Sequence, residues 1–284
     1  LGLVGKPDET AFWANLAPRI QACEVSTVAD SVEAALANDP DLDAMVLDSP
    51  SDVILAANAG KHVLASAPVG ESLDEANSVI DACSRAGVNL SISQILRYLP
   101  ANQIVRDRLS SGKLGEPGLL RVHRWNAGPG NPLARVLFGD IDLTMYFFKA
   151  GPSNIYAIRR SEGAYIQVHL GFPAGGMAIL DFSSGLPDGR SYDSLSLIGS
   201  RGAAYADDHR NTHLLYAGGN PTALISNAGS GHLMELQAFM DAIRSGGPSI
   251  GDECRAVHQV IESVERSIGS GQVLHEKEGR HEPV

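Results

Sequence analysis

"KHVLASAPVGESLDEANSVIDACSRAGVNLSIS", residues 61–93, carries the reading on which the fold turns. "KHVLAS" (61–66) is a short apolar run of strand composition, and "SAP" (66–68) breaks it. Ser72 and Glu75 then stand in the S-x-x-E spacing of a helix-capping box. Ala76, Val79, Ile80 and Cys83 repeat at helical spacing, and Gly87 sits where a helix-ending glycine belongs. "VNLSIS" (88–93) follows as another apolar strand. Two buried strands joined through one helix form a crossover unit, which predicts a parallel sheet.

Reading outward, the same grammar extends to both sides. "LGLVG" (1–5) is a short strand closed by glycine, Asp8 to Ala17 is a helix candidate, and "DAMVLDSP" (43–50) is a second buried strand. Between Ala17 and Asp43 the chain reads as too short for a further strand and helix, and the helix between Pro50 and Gly60 reads as abbreviated. Pro100 opens a helix that carries Ile104, Val105 and Leu109 and closes at Gly112.

After "GEPG" (115–118) the pattern changes. "LLRVHRW" leads to one helix near 139–149, then to "NIYAIRR", "YIQVHLGF", "GMAILDF" and "YDSLSLIG" with no helix between them. Consecutive strands of this kind predict an antiparallel meander. The expected architecture is α/β: a shortened parallel-sheet domain of the dinucleotide-binding kind over 1–118, then an α/β domain with a mostly antiparallel open sheet over 119–284. Two helices, 233–245 and 252–270, end the second domain, and their apolar stripes read as core packing.

Of the 284 residues 44% are apolar and 19% charged, as in ordinary globular proteins. A net charge of −11 with no basic stripe argues against a nucleic-acid partner. No apolar run reaches the ~20 residues of a membrane-spanning helix. The three cysteines are scattered and lack a C-x-x-C pair, which reads as structural thiols in a reducing, cytoplasmic setting. The chain opens inside a strand without a methionine, so a trimmed leader is kept as an alternative.

"AGKHVL", the proline-ended turn, "ESLDEA", "AGVNLSIS", "LRYLP", "SGKLGEPG", "DLTMYF" and "LQAFMDAIRSGGPSI" stand in an order and spacing that resembles the glucose–fructose oxidoreductase / inositol dehydrogenase (Gfo/Idh/MocA) family. The resemblance implies a Rossmann domain binding NAD or NADP, no metal, and a second-domain sheet face that often builds homo-oligomers. It also implies hydride transfer to or from a sugar or polyol, with a lysine and a histidine handling the hydroxyl proton. It places Gly5, Lys6, Pro7, Ser49, Pro50, Ser66 and Gln94 beside the cofactor. Arg97, Tyr98, Trp125, Asn126, Arg135 and Asp142 are the candidates for the substrate.

The departures from that family are specific. The Glu-Lys-Pro turn is Ser66-Ala67-Pro68, the histidine position holds Gly139, and the first aspartate position holds Arg135. In the phosphate loop the second and third glycine positions hold Pro7 and Thr10, and proline has no N–H to offer. Asp30 is the one nearby acidic residue for a ribose. Tyr98 and Asp142 are the remaining candidates for a proton relay.

Each candidate has a plainer alternative. Asp142 reads as a pocket carboxylate or a helix-start residue, and Arg135 as a clamp for an acidic ligand or an exposed loop arginine. Arg97 and Tyr98 read as pocket or interdomain packing. Alternation puts Arg121, His123 and Trp125 on one strand face, for a ring-shaped ligand or a sheet-face contact, and His169 lies on a face with Tyr165 and Gln167. His209 and His213 in "DDHRNTH" are too weakly ordered by sequence for a metal site.

The functional expectation is a family member binding a sugar-like or acidic small molecule in the interdomain cleft, with ordinary hydride transfer lost and an active paralogue as a partner. The alternatives are an active NAD(P)-dependent oxidoreductase with a non-standard relay, a non-redox lyase or hydrolase, and a structural oligomer.

Overall fold

The computed structural model describes residues 1–125, 132–160, 165–184, 192–207, 214–217, 222–223, 229–246 and 251–276. In chain order the first elements are β1 (Gly2–Val4), α1 (Pro7–Leu16), β2 (Thr27–Ala29), α2 (Val32–Asn38), β3 (Ala44–Leu47), α3 (Pro50–Asn58), β4 (His62–Ala65), α4 (Leu73–Ala86), β5 (Leu90–Ile92) and α5 (Ile95–Tyr98). Next come α6 (Pro100–Ser110), β6 (Pro117–Trp125), α7 (Leu133–Phe148), β7 (Asn154–Arg160), β8 (Tyr165–Gly171), β9 (Met177–Ser183) and β10 (Tyr192–Gly199). The chain closes with β11 (Ala203–Asp207), β12 (Leu214–Ala217), β13 (Thr222–Ala223), α8 (Ser230–Ser245), α9 (Gly251–Ser270) and β14 (Leu274–His275).

Proline starts α1, α3 and α6, where a missing N–H costs nothing. At α4 the Ser72 hydroxyl accepts from the Glu75 amide at 3.2 Å. The Glu75 carboxylate reaches back to the Glu71 amide at 2.7 Å, one residue before the cap. Gly87 ends α4 at φ 66°, the left-handed conformation expected of a glycine stop.

The first sheet is all parallel in the order β2-β1-β3-β4-β5. A second strand and helix therefore do exist in the segment judged too short for them. β2 has only three residues and α2 seven, below the length at which periodicity registers. On one face Leu1, Leu3, Ala44, Val46 and Leu64 pack against Leu236, Phe239 and Met240 of α8. Every residue of β3 is buried, as parallel strands covered on both faces require.

The chain divides into two compact units, Leu1–Tyr98 with Ala228–His258, and Leu99–Asn227 with Gln259–Val284. A division at 118 would give α6 to the first unit and α8 to the second, the reverse of what the contacts give. An apolar stripe shows that a helix is packed but not which core it joins. The turn after α6 is bonded to the second sheet: the Arg201 amide donates to Leu114 O at 3.0 Å, and the Ser200 amide to Glu116 O at 2.9 Å.

Among the described residues the second sheet has nine strands in the order β13-β12-β11-β10-β6-β9-β8-β7-β14. All its pairings are antiparallel except β6 with β9. β6 thus lies between β9 and β10, which a simple meander would have made neighbours. Leu120, Val122, Val168, Leu170, Ala178, Leu180, Leu195 and Leu197 form its buried face. Helix α7 runs from Leu133, well before the predicted start near 139.

Candidate functional site

Because the first sheet is parallel, the carboxyl ends of its strands share one edge, the place where open α/β sheets bind ligands. In sheet order that edge carries Asp30 after β2, Gly5-Lys6-Pro7 after β1, Asp48-Ser49-Pro50 after β3, Ser66-Ala67-Pro68 after β4, and Ser93-Gln94 after β5. The predicted cofactor positions are therefore gathered together. Asp30 falls directly at the end of β2, where a ribose-binding carboxylate stands in dinucleotide folds.

The turn after β1 is the part that departs from such folds. Gly5 has φ 147°, a conformation that suits glycine, and a Cβ placed on it would lie 3.3 Å from Glu9 Oε2. Pro7 occupies the first turn of α1 with Asp8 and Glu9 behind it. The Thr10 hydroxyl is turned inward, donating to Lys6 O and Pro7 O at 3.2 Å each, and the residue is buried. On the next strand end the hydroxyls of Ser49 and Ser51 share a 2.7 Å hydrogen bond. Burial, with Glu33 adding to it, raises the Asp52 pKa there.

Glu235 on α8 is a residue that sequence reading missed. Its buried carboxylate accepts from the Ser93 hydroxyl at 2.9 Å and the Gln94 amide at 2.6 Å, fixing the end of β5. An acidic residue beside the apolar positions Leu233 and Leu236 was the available signal. Arg97 lies on α5 with Nη1 2.6 Å from Glu253 Oε2, and Tyr98 is half-buried on the same turn.

In the second unit α7 brings Arg135, Gly139 and Asp142 to one helix face at spacings of four and three. Asp142 is 1% exposed and lies deep in the helix, so it is no helix-start residue. Arg135 is exposed on the first turn of α7 and does not lie in a loop. Neighbouring Asp140 is held by Arg124 of β6 in a two-pronged pair, Nε to Oδ2 at 3.0 Å and Nη2 to Oδ1 at 2.8 Å. Arg124 extends the buried face of β6 begun by Leu120 and Val122, and a charge in that register announces a partner.

Among the described residues the opposite face of the second sheet is partly exposed. Arg121, His123 and Trp125 lie on it together, as alternation predicted, and the strand register adds Tyr165, Gln167 and His169 to the same face. A chain of polar groups crosses it: His169 Nε2 to Gln167 Oε1 at 2.9 Å, Gln167 Nε2 to Asp181 Oδ1 at 2.6 Å, and His123 Nδ1 to Asp181 Oδ2 at 3.1 Å. Trp125 and Tyr192 stand 4.8 Å apart by ring centroids. A cavity of about 550 Å³ is lined by Trp125, Arg160, Tyr165, Gln167, Asp181 and Ser183, among others.

Asn126 and the His209–His213 pair lie outside the described residues. Among the described residues no cluster of three or more His, Cys, Asp or Glu is arranged to hold a metal, and no helix is long and apolar enough to cross a membrane. The cysteines are unbridged, and burial pushes the Cys83 thiol up to about 11, which makes it unreactive.

No family model matches the chain. It is 28% identical over 230 residues to the uncharacterized oxidoreductase YrbE of Bacillus subtilis (strain 168), covering 68% of this chain and 66% of that one. It is 28% identical over 148 residues to a 1,5-anhydro-D-fructose reductase of Ensifer adhaerens, covering 45% and 44%. The matched regions thus span less than two thirds of these relatives. The crystal structure of GenD2 from gentamicin A biosynthesis, in complex with NAD, superposes with a TM-score of 0.79 at 18% identity, covering 97% of this chain and 95% of that one. The chain resembles the Gfo/Idh/MocA-type dehydrogenases. The parallel five-stranded sheet and the mostly antiparallel second sheet are the fold of those proteins.

Asp30, Ser49 and Ser66 stand at the ends of β2, β3 and β4, and Pro7 and Glu9 at the turn after β1.

Proposed function

We propose that this chain is a Gfo/Idh/MocA-type protein that binds a sugar-like or acidic small molecule and no longer performs ordinary hydride transfer, serving beside an active relative. The observation that carries the reading is the makeup of the proton-handling positions. Ala67 stands after β4, and Gly139 and Arg135 stand on the face of α7 that also holds Asp142. Alanine and glycine have no proton to exchange, and a guanidinium does not give one up at neutral pH. Each general acid–base group lost costs ~10²–10⁴-fold in rate. Asp142 alone keeps a titratable group there, and Arg135 gives the same face a cation for an acidic ligand.

Purified chain with NAD or NADP and a panel of sugars and polyols tests this by reduced-nicotinamide absorbance. The expected result is no turnover. Turnover abolished by Asp142→Asn or Tyr98→Phe would replace the reading with an active enzyme using a non-standard relay. Product formed without any nicotinamide change would point to a lyase or hydrolase.

A second reading, homo-oligomerisation through the open sheet face, draws on its exposed apolar side chains. Trp125, Tyr165, Met177, Ile198 and Tyr205 all lie on that face and are 36–52% exposed. Sedimentation of the wild-type chain against Ile198→Glu tests it, with a monomeric wild type as the contrary result.

A further inference from the structure

We propose that Glu9 is a specificity-determining residue that bars a pyrophosphate from the turn after β1, so that the edge of the first sheet takes an uncharged, hydroxyl-bearing ligand and rejects a dinucleotide. This deepens the reading above and rests on its premise that nicotinamide chemistry has been given up.

A pyrophosphate at such a turn needs close backbone approach, free N–H groups and an absence of negative charge. The turn after β1 opposes the first and the last of these and removes one N–H at Pro7. The Glu9 carboxylate oxygen lies 3.3 Å from where a Cβ of Gly5 would stand, so the space glycine leaves open faces an anion. Pro7 supplies no N–H and sets its ring at the second glycine position. Thr10 is buried and has its hydroxyl committed to Lys6 O and Pro7 O. Asp8 adds a second carboxylate in the same helical turn, against Lys6 as the turn's own cation.

The rest of the edge is different in kind. Asp30, Ser49 and Ser66 offer carboxylate and hydroxyl partners for the hydroxyls of a ribose or polyol, and those partners need no charge on the ligand. Asp48, exposed at the end of β3, is a further charge against an anion. The site keeps the means to hold a sugar hydroxyl and has turned against the group that links two nucleosides.

Adenosine and ADP-ribose make the test, because they share a nucleoside and differ in the pyrophosphate. Both are titrated calorimetrically into wild type and Glu9→Gln, at low and high salt. Wild type is expected to bind adenosine more tightly than ADP-ribose, and salt is expected to strengthen ADP-ribose by screening the repulsion. Removing one nearby like charge at an exposed site should tighten ADP-ribose by roughly tenfold at low salt and leave adenosine unchanged. A wild type that prefers ADP-ribose, an unaltered preference in Glu9→Gln, or no adenosine binding in either protein overturns the proposal. Tight NADH binding without turnover would sink this inference alone, whereas sugar-dependent turnover would sink the proposed function.

Discussion

Lowering the pH from 7 to 4 should destabilise the first unit through a single side chain, His258 on α9. The imidazole is 2% exposed, and burial lowers its pKa from 6.5 to about 4, with the charge of Glu75 opposing the fall. In the unfolded chain the ring takes a proton below about pH 6.5; in the folded chain it does so only below about 4. Between those values the unfolded state holds more protons, so stability rises with pH across the window. The contribution is complete above 6.5, falls away as pH drops toward 4, and changes no further below that. The difference between the two pKa values corresponds to about 3 kcal/mol. The assay is urea unfolding and amide exchange of α4 and α9 at intervals from pH 7 to 4, for wild type and His258→Leu. Leucine cannot titrate, so the wild-type-minus-variant difference isolates this ring from the carboxylates that protonate in the same acid range. A difference that stays flat across the window would refute the reasoning, and one that grows toward neutral pH at the expense of Leu confirms it.

Two further outcomes follow from the geometry. Arg124→Ala leaves the 6%-exposed Asp140 side chain without its two-pronged partner, and loss of one member of a buried pair costs about 3–5 kcal/mol. Thermal unfolding should show the loss, and Asp140→Asn in the same background should recover part of it. Ser72→Ala removes the hydroxyl that accepts from the Glu75 amide and should cost about 1 kcal/mol by denaturant titration, while Ser72→Asp should cost little.

Much of the fold was legible because its devices are local. The Ser72–Glu75 box, Gly87 and the Pro100 that opens α6 each act within one helical turn, so composition shows them directly. The alternation in β6 and β8 predicted correctly which side chains of each strand share a face, since strand period is a backbone property. Neighbour choice was not legible. β6 lies between β9 and β10, and α8 returns to the first sheet, because both are settled by contacts made across more than fifty residues of chain. The early start of α7 was readable at Pro132 and Leu133, but Gly139 in mid-helix masked the period by which Leu137, Phe138 and Ile141 join the core.

The candidate site divides in the same way. Residues adjacent in sequence to strand ends were found, because a parallel sheet gathers those ends by construction. Glu235 was not found, since its role is to hold Ser93 and Gln94 from another part of the chain. Nor was Glu9, whose significance depends on a side chain four residues along returning to Gly5. What the sequence did convey was the substitution of each proton-handling position. The side-chain partners of those positions are brought together only by folding. The edge of the first sheet makes that concrete. Its hydroxyls and Asp30 were visible as neighbours of strand ends, whereas the Glu9 carboxylate beside Gly5 was not.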